Sequence, residues 1–191
     1  MSGFTAVGFF LVTLILGMVI LSLWLRIALR YLRVSSLNQL NMLITAITNP
    51  LIKPIQLLSQ YQYKPGQYYD WLAFAVLVAI ECIKICLLSL LVFKQLMPLT
   101  LVVIYVLADL IIQPCNILFY AILIRVIMSY VNPQWQHPLA DFLRILTQPL
   151  IILGRKIIPD ISGFDFSPFV IMIILKIITL FISASLPLNL L

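Results

Sequence analysis

Four charged side chains lie inside long apolar stretches of the sequence, and they are the residues best placed to do chemistry in a membrane. They are Glu81, Lys84, Asp109 and Lys176. A charged group near the bilayer centre costs about 2.5–3.5 kcal/mol on insertion scales, so each should face protein or water. Glu81 and Lys176 both lie ~16 Å from the start of their own apolar stretch, counted at ~1.5 Å per helical residue. We therefore predict that Glu81 contacts Lys176 and that Asp109 contacts Lys84.

Two other interpretations of these charges remain open. Glu81 can pair with Lys84 on its own helix at i,i+3, while Lys176 and Asp109 meet each other or are hydrated. Alternatively, the charges line a path for an ion or a proton. Gln113, Pro114 and Asn116 follow Asp109 and could open that helix, exposing backbone carbonyls to an ion.

No pattern of residues predicts catalysis or a metal or cofactor site. His137 is the sole histidine, and it has no neighbouring nucleophile or second ligand. The three cysteines, Cys82, Cys86 and Cys115, form no Cys-x-x-Cys pair, and small apolar packing explains them. The sequence also lacks a phosphate-binding loop, a dinucleotide fingerprint and a His-Glu-x-x-His motif. We expect a protein that is not an enzyme, holds no cofactor and binds no nucleic acid directly.

The composition excludes a soluble globular protein. Of the 191 residues, 63% are hydrophobic and only 9% are charged, whereas an average soluble domain is about 25% charged. A helix needs about 20 apolar residues to cross the hydrocarbon. Four stretches meet this length, at about 5–25, 71–93, 96–124 and 166–188. The sequence therefore predicts an all-α membrane protein with four transmembrane helices.

The basic residues predict the orientation of these four spans. The connectors 26–70 and 125–165 together contain nine lysines and arginines, whereas the opposite side contains only Lys94. Connectors rich in Lys and Arg stay in the cytoplasm. We expect both long connectors to be cytoplasmic and both termini to lie outside.

The two halves of the chain, 1–95 and 96–191, resemble each other at a nearly constant offset. At an offset of 99 residues, Thr-x-Pro-Leu recurs, and an arginine and a tyrosine recur before it; at an offset of 95, an aspartate recurs after it. The residues that anchor the repeat are Arg26, Tyr31, Thr48, Pro50 and Asp70 in the first half, with Arg125, Tyr130, Thr147, Pro149 and Asp165 in the second. Because each half has two spans, the sequence predicts parallel repeats of span, cytoplasmic elbow and span.

Each cytoplasmic elbow is expected to contain a short interfacial helix that ends at Thr-x-Pro. Apolar residues recur at helical spacing before each threonine, as in Leu40, Leu43 and Ile47. Proline removes a backbone donor and disfavours helix in the residue before it. Arg26 and Arg125 are interpreted as snorkelling anchors. Alternatively, each arginine holds the aspartate of its own half, and Asp165 can also cap the helix that follows it.

The segment from Leu146 to Val170, LTQPLIILGRKIIPDISGFDFSPFV, resembles the signature of the YggT/YlmG family of small integral membrane proteins. The elbow residues that carry the resemblance are Thr147, Pro149, Arg155, Lys156, Pro159, Gly163, Asp165, Ser167 and Pro168. Leu153-Gly154 departs from the family, which often has Pro-Ile there. The first half keeps Pro50, Pro54 and Asp70 but lacks the paired basic residues and Ser-Pro, so the second half carries the resemblance more fully.

The resemblance implies a multi-pass protein of the bacterial inner membrane with no assigned reaction. Relatives are associated with osmotic or ionic stress, with division and, in plastids, with nucleoid distribution or cytochrome assembly. We expect a non-enzymatic scaffold or assembly factor linked to osmotic or envelope stress, acting on anionic lipid headgroups and on protein partners or further copies of itself. The alternative is a small channel or transporter for monovalent cations.

Overall fold

Helices are the only regular secondary structure in the residues that the structure, a computed structural model, describes. Those residues are 3–33, 39–60, 67–131, 137–157 and 165–187. They form six α-helices and no strand: α1 (Gly3–Tyr31), α2 (Gln39–Ser59), α3 (Trp71–Phe93), α4 (Leu99–Val131), α5 (Pro138–Ile157) and α6 (Ser167–Ser185). The predicted all-α fold is confirmed.

Four of these helices, α1, α3, α4 and α6, are long and apolar enough to cross a membrane. Helix α3 has the predicted bounds, but α1 and α4 run past their predicted ends to Tyr31 and Val131. Arg26 and Arg125 therefore lie within these helices rather than after them. Each of these arginines is hydrogen-bonded to the helix that follows, so its charge is accommodated without ending its own helix.

The prediction that Thr-x-Pro ends the elbow helix is wrong. Helix α2 continues through Pro50 and Pro54, and α5 continues through Pro149. Proline inside a helix removes one hydrogen bond and usually bends the helix. Here the threonine two residues before the proline donates its hydroxyl to a carbonyl four residues earlier, and buried Ile52 and Ile151 anchor the turn beyond each proline. The elbow helices are consequently twice as long as the segments before Thr-x-Pro.

Helix α4 likewise continues through Pro114, so the structure does not have the opening that the ion-path interpretation places there. In the bilayer core no water is present to hydrogen-bond the backbone groups that a broken helix would expose. A proline is therefore tolerated there within a continuous helix. The polar residues Gln113 and Asn116 therefore lie on a regular helix rather than in an opened segment.

The chain divides into two compact units, one within Met1–Leu110 and one within Ile111–Asn189, with the division inside α4. In the first unit, α1, α2 and α3 share an apolar core that includes Ile20, Leu23, Ile52 and Leu77. In the second unit, residues of α4 and α6 pack around Ile122, Met172 and Leu175. Both cores consist of apolar side chains.

Candidate functional site

The first unit holds a buried group of three charges, Glu81, Lys84 and Asp109. The Lys84 ammonium lies 2.8 Å from the Glu81 carboxylate on its own helix and also pairs with the Asp109 carboxylate of α4. All three residues are at most 5% exposed. The structure therefore has the Asp109–Lys84 contact predicted from sequence, together with the i,i+3 pairing of Glu81 that was the alternative.

Two carboxylates share one ammonium in this buried charge group. Buried charges are stable only when they are paired and hydrogen-bonded, and here the Lys84 ammonium is shared by two acidic side chains. Tyr105 lies one turn before Asp109 on α4 and is also completely buried. Lys176 lies on an exposed face of α6 in the second unit, and its contact with Glu81 stays a prediction.

The first arginine cluster joins α1 to α2 and to the start of α3. Arg26 donates hydrogen bonds to the Thr48 hydroxyl at 2.8 Å and to the Asn49 side-chain oxygen at 3.1 Å. It also donates to Asp70 Oδ2 at 3.2 Å, and Arg30 donates to the same oxygen at 3.2 Å. One carboxylate thus bridges two guanidinium groups.

Asp70 has a second role at the beginning of α3. Its other oxygen, Oδ1, accepts the backbone N–H of Ala73 at 3.1 Å, which caps the helix. The residue is only 2% exposed. A carboxylate that is buried in this way is held by two cations and a helix N-terminus at once, so the cluster fixes α1, α2 and α3 in one geometry.

The second arginine cluster joins α4 to α5 in the second unit. Arg125 donates to the Thr147 hydroxyl at 2.7 Å, to the Gln148 side-chain oxygen at 3.0 Å and to the Arg144 carbonyl at 3.4 Å. Asp165 caps the next helix by accepting the Ser167 N–H at 2.9 Å. Its Oδ2, however, pairs with Arg155 at 2.7 Å. Arg125 therefore bonds to neutral acceptors only, within the part of the chain that the structure describes.

The pKa of Asp165 is set by opposing effects. Partial burial raises it, but hydrogen bonds from Arg155 and from Ser167 together lower it, so that the pKa lies below the usual value of an aspartate. The carboxylate is therefore ionised at neutral pH, and its negative charge is matched by Arg155.

The two threonines have the same local chemistry in both clusters. Thr48 and Thr147 each donate their hydroxyl proton to a carbonyl four residues earlier in the helix, at 2.8 and 2.6 Å. The hydroxyl oxygen then accepts a proton from the arginine. Both threonines are buried. A hydroxyl is needed because it has to donate and accept at the same position.

The remaining predicted site residues have simpler surroundings. Tyr31 and Tyr130 are exposed, as is expected for interfacial aromatic residues, and Tyr31 packs on Tyr69 with ring centroids 5.6 Å apart. Pro50, Pro149 and Lys156 are exposed, whereas Ser167 and Pro168 are buried at the start of α6. Pro159 and Gly163 lie outside the described residues.

Sequence reasoning missed several residues that the structure brings into the site. Asn49 and Gln148 occupy the variable position of Thr-x-Pro, and both are amides that accept from an arginine. Their shared side-chain type was the available signal. Gly154 was also missed: a Cβ at this position would lie 3.0 Å from the Ser167 carbonyl oxygen, so glycine allows the close approach of α5 and α6.

Comparison with known proteins places the second cluster in a recognised family domain. The family model CCB3/YggT matches residues 103–186. An uncharacterized protein of Pseudomonas aeruginosa is 33% identical over 67 residues, which are 35% of this chain and 34% of that protein. The match thus spans about a third of that relative's length. No solved structure matches the chain. Residues 103–186, which include the Arg125 cluster, are thus similar to the CCB3/YggT family domain.

Proposed function

We propose that this protein is a non-enzymatic organiser of the bacterial inner membrane whose two elbow helices, α2 and α5, lie at the cytoplasmic surface. In this proposal each half is a repeat of span, elbow and span, and both termini are outside. The elbows contact anionic lipid headgroups and protein partners, and the cell needs them under osmotic or envelope stress. The biological setting rests on the resemblance to the YggT/YlmG family.

The observation that carries the proposal is the way each elbow is held. Arg26 and Arg125 come from equivalent places in the two halves, and each binds the buried threonine and the neighbouring amide of its own elbow. An elbow tied to a span by several hydrogen bonds is a fixed surface rather than a loose loop. A fixed surface at the headgroup level suits a protein that positions other molecules.

The exposed side chains of the elbows support a location in the membrane interface. Helix α2 exposes apolar residues along most of its length, and α5 exposes Leu139, Ile145, Ile152 and Leu153. The last turn of α5 adds the exposed basic pair Arg155 and Lys156. Apolar side chains beside basic ones are typical of helices that lie at an anionic bilayer surface.

Depth measurements test the placement of the elbows. A spin label on Leu153→Cys, with the native cysteines replaced by alanine, should report a position at the headgroup level in vesicles that contain phosphatidylglycerol. A matched label on Phe181→Cys, which is exposed on α6, should report the hydrocarbon. A Leu153 label in bulk water would contradict the proposal.

Growth under osmotic upshift tests the biological role. A strain without the protein should lose viability, and Thr147→Val should behave like the deletion because the Arg125 tether loses its hydroxyl acceptor. Lys94→Gln, which alters a charge on the opposite side, should behave like the wild type. Normal survival of the deletion strain would refute the stress role.

A second candidate function is cation or proton conduction, which the buried charge group favours. Two acidic side chains, Glu81 and Asp109, surround one ammonium inside the first unit. Such a group can hold a proton or a monovalent cation, and intramembrane ionisable groups often mark ion or proton paths.

Reconstituted vesicles distinguish the two functions. Under the organiser proposal, vesicles that contain the purified protein should show no potassium or proton flux above that of empty vesicles. Flux that disappears in Asp109→Asn but persists in Asp141→Asn, an exposed carboxylate on α5, would favour conduction and would overturn the organiser proposal.

A further inference from the structure

A cavity of about 380 Å³ lies within the second unit, beside the second arginine cluster. Its polar wall includes Arg125, Ser129, Arg155 and Asp165, and its apolar wall includes Ile151 and Phe169. This volume is within the range of about 300–1,000 Å³ that is usual for small-molecule sites. A cavity with guanidinium groups on one side and apolar side chains on the other suits an amphipathic anion.

Arg125 retains hydrogen-bonding capacity toward this cavity. A guanidinium has five N–H donors. Three of them are used. Nη1 donates to the Thr147 hydroxyl and to the Arg144 carbonyl, and Nη2 donates to Gln148. Two donors thus have no acceptor among the described residues, although the side chain is half-buried. A half-buried cation with unused donors is a binding element for an anion.

The carboxylate in the wall does not cancel this charge. Both oxygens of Asp165 are engaged, Oδ2 by the Arg155 guanidinium and Oδ1 by the Ser167 backbone N–H. The charges of Arg144 and Arg155 repel that of Arg125 from nearby, and the charge of Asp165 offsets this repulsion in part. The positive charge that remains in the wall is therefore that of Arg125, and repulsion from its neighbours favours the arrival of an anion.

The first unit indicates what is missing from the second. There, Asp70 bridges Arg26 and Arg30. At the offset of 99 residues, Arg30 corresponds to Ser129, whose short side chain lies at the cavity wall. The second unit thus has a space where the first has an arginine, and it has no carboxylate that bridges two arginines among the described residues.

We propose that this cavity binds a phosphate group between Arg125 and Arg155, in the bridging role that Asp70 has in the first unit. Arginine suits phosphate because its planar donors match two phosphate oxygens. Ile151 and Phe169 would contact the glycerol and upper acyl carbons of a phospholipid, so the source that the cavity favours is an anionic lipid headgroup. The inference rests on the proposed interfacial location but concerns a single defined site.

Binding to the purified full-length protein in a neutral detergent tests the proposal. Two probes are titrated by calorimetry: dihexanoyl phosphatidylglycerol and inorganic phosphate. Saturable binding of either probe with one site per chain supports a phosphate site. Stronger binding of the lipid assigns the site to a headgroup, and equal or stronger binding of inorganic phosphate assigns it to free phosphate. Absence of saturable binding by both probes overturns the proposal.

A charge-matched pair of variants locates the site. Ser129→Glu puts a carboxylate into the cavity wall and should abolish binding, because it supplies the missing bridge. Ser59→Glu, an exposed position at the end of α2, makes the same change in net charge and should leave the affinity unchanged. Equal affinities of the two variants would overturn the proposal.

Arg155→Gln provides a second variant in case Ser129→Glu does not fold. Arg155 is half exposed, so its replacement should be tolerated, and the affinity should fall by about tenfold or more, as expected for a lost charge-assisted hydrogen bond. An unchanged affinity would refute the role of Arg155. These measurements test phosphate binding alone, whereas the spin-label depths test the interfacial location of the elbows. A negative result in one experiment therefore leaves the other proposal standing.

Discussion

The two arginine clusters share an arginine, a threonine, an amide and an aspartate at equivalent positions but pair the aspartate differently. In the first, buried Asp70 bridges Arg26 and Arg30, and the cluster is internally paired. In the second, Asp165 pairs with Arg155, and Arg125 is left with neutral acceptors beside a cavity. In both clusters an arginine binds a buried threonine and an amide, so the clusters differ in which arginine the aspartate pairs with.

This difference separates a structural role from a binding role. A carboxylate buried between two guanidinium groups stabilises the contacts between helices and leaves little for a ligand to gain. A half-buried guanidinium with unused donors stabilises the elbow less and can bind an anion from outside. The first cluster therefore links α1, α2 and α3, whereas the second leaves guanidinium donors of Arg125 that no described residue accepts.

The largest expected effect is that of removing the bridging carboxylate. Asp70→Asn leaves two arginines without their shared counter-charge, and breaking such a buried pair costs about 3–5 kcal/mol. Asp165→Asn should cost about 0–1 kcal/mol, because Arg155 is half exposed and Asp165 is only partly buried, so solvent screens their pair. Denaturant unfolding in detergent measures both. Equal losses of stability would show that the two clusters do not differ as described.

A smaller loss of stability is expected from replacing the amide of each Thr-x-Pro motif. Here the second cluster should lose more stability than the first. Gln148→Leu should destabilise the protein by about 1.5–3 kcal/mol, because Arg125 loses one of its few acceptors. Asn49→Leu should cost about 1 kcal/mol, since Arg26 keeps Asp70. Denaturant unfolding in detergent measures both variants. A larger loss of stability for Asn49→Leu than for Gln148→Leu would contradict the inference that Arg125 depends on a few neutral acceptors.

The close approach of α5 and α6 gives a third comparison, between two glycines. Gly154→Ala would place its Cβ 3.0 Å from the Ser167 carbonyl oxygen and from Ile171 Cγ1, and such overpacking costs about 1–3 kcal/mol. At Gly17 in α1 nothing lies within 4 Å of an added Cβ. Gly17→Ala should therefore be neutral or should stabilise by about 0.5–1 kcal/mol through helix propensity. The melting temperature of Gly154→Ala should fall, whereas that of Gly17→Ala should stay the same or rise; an equal fall in both variants would contradict the close contact at Gly154.

The smallest expected effect is the dependence on pH that Asp165 introduces. The folded pKa of Asp165 is lowered relative to the unfolded chain, so its contribution is complete above the unfolded value of about 3.9. The contribution is lost as the pH falls from there through the lower folded pKa. The stability difference between the wild type and Asp165→Asn should therefore shrink below pH ~4. A difference that grows in acid would have the wrong sign.

Several features of the site could be predicted from sequence because they depend on local or additive properties. Charges in apolar stretches are costly wherever the helix packs, so Lys84 and Asp109 were expected to meet. The spacing of Thr-x-Pro relative to the arginine repeats at one offset, which indicated that the two segments belong together. The cap at Asp165 follows from Asp-x-Ser-Pro, because an aspartate near a helix start accepts exposed backbone N–H groups.

Other features could not be predicted, because the choice was between partners of similar chemistry. From sequence, Arg125 had the same reason to bind Asp165 as Arg26 had to bind Asp70. The side chain of Arg155, on a helix that was expected to have ended, reaches Asp165 instead. The predicted end of the elbow helices at proline failed because burial and the threonine bonds outweigh one missing backbone hydrogen bond.

The sequence by itself determined that this chain is an all-helical membrane protein. It has too few charged residues to cover a surface in water, and its apolar stretches are long enough to cross a bilayer as helices. It also determined which polar residues recur in the two halves. Only the tertiary structure decided how those residues pair, because an ion pair depends on distances of a few ångströms between helices that are remote in sequence. That choice closes the first cluster around Asp70 and leaves Arg125 beside an open cavity in the second.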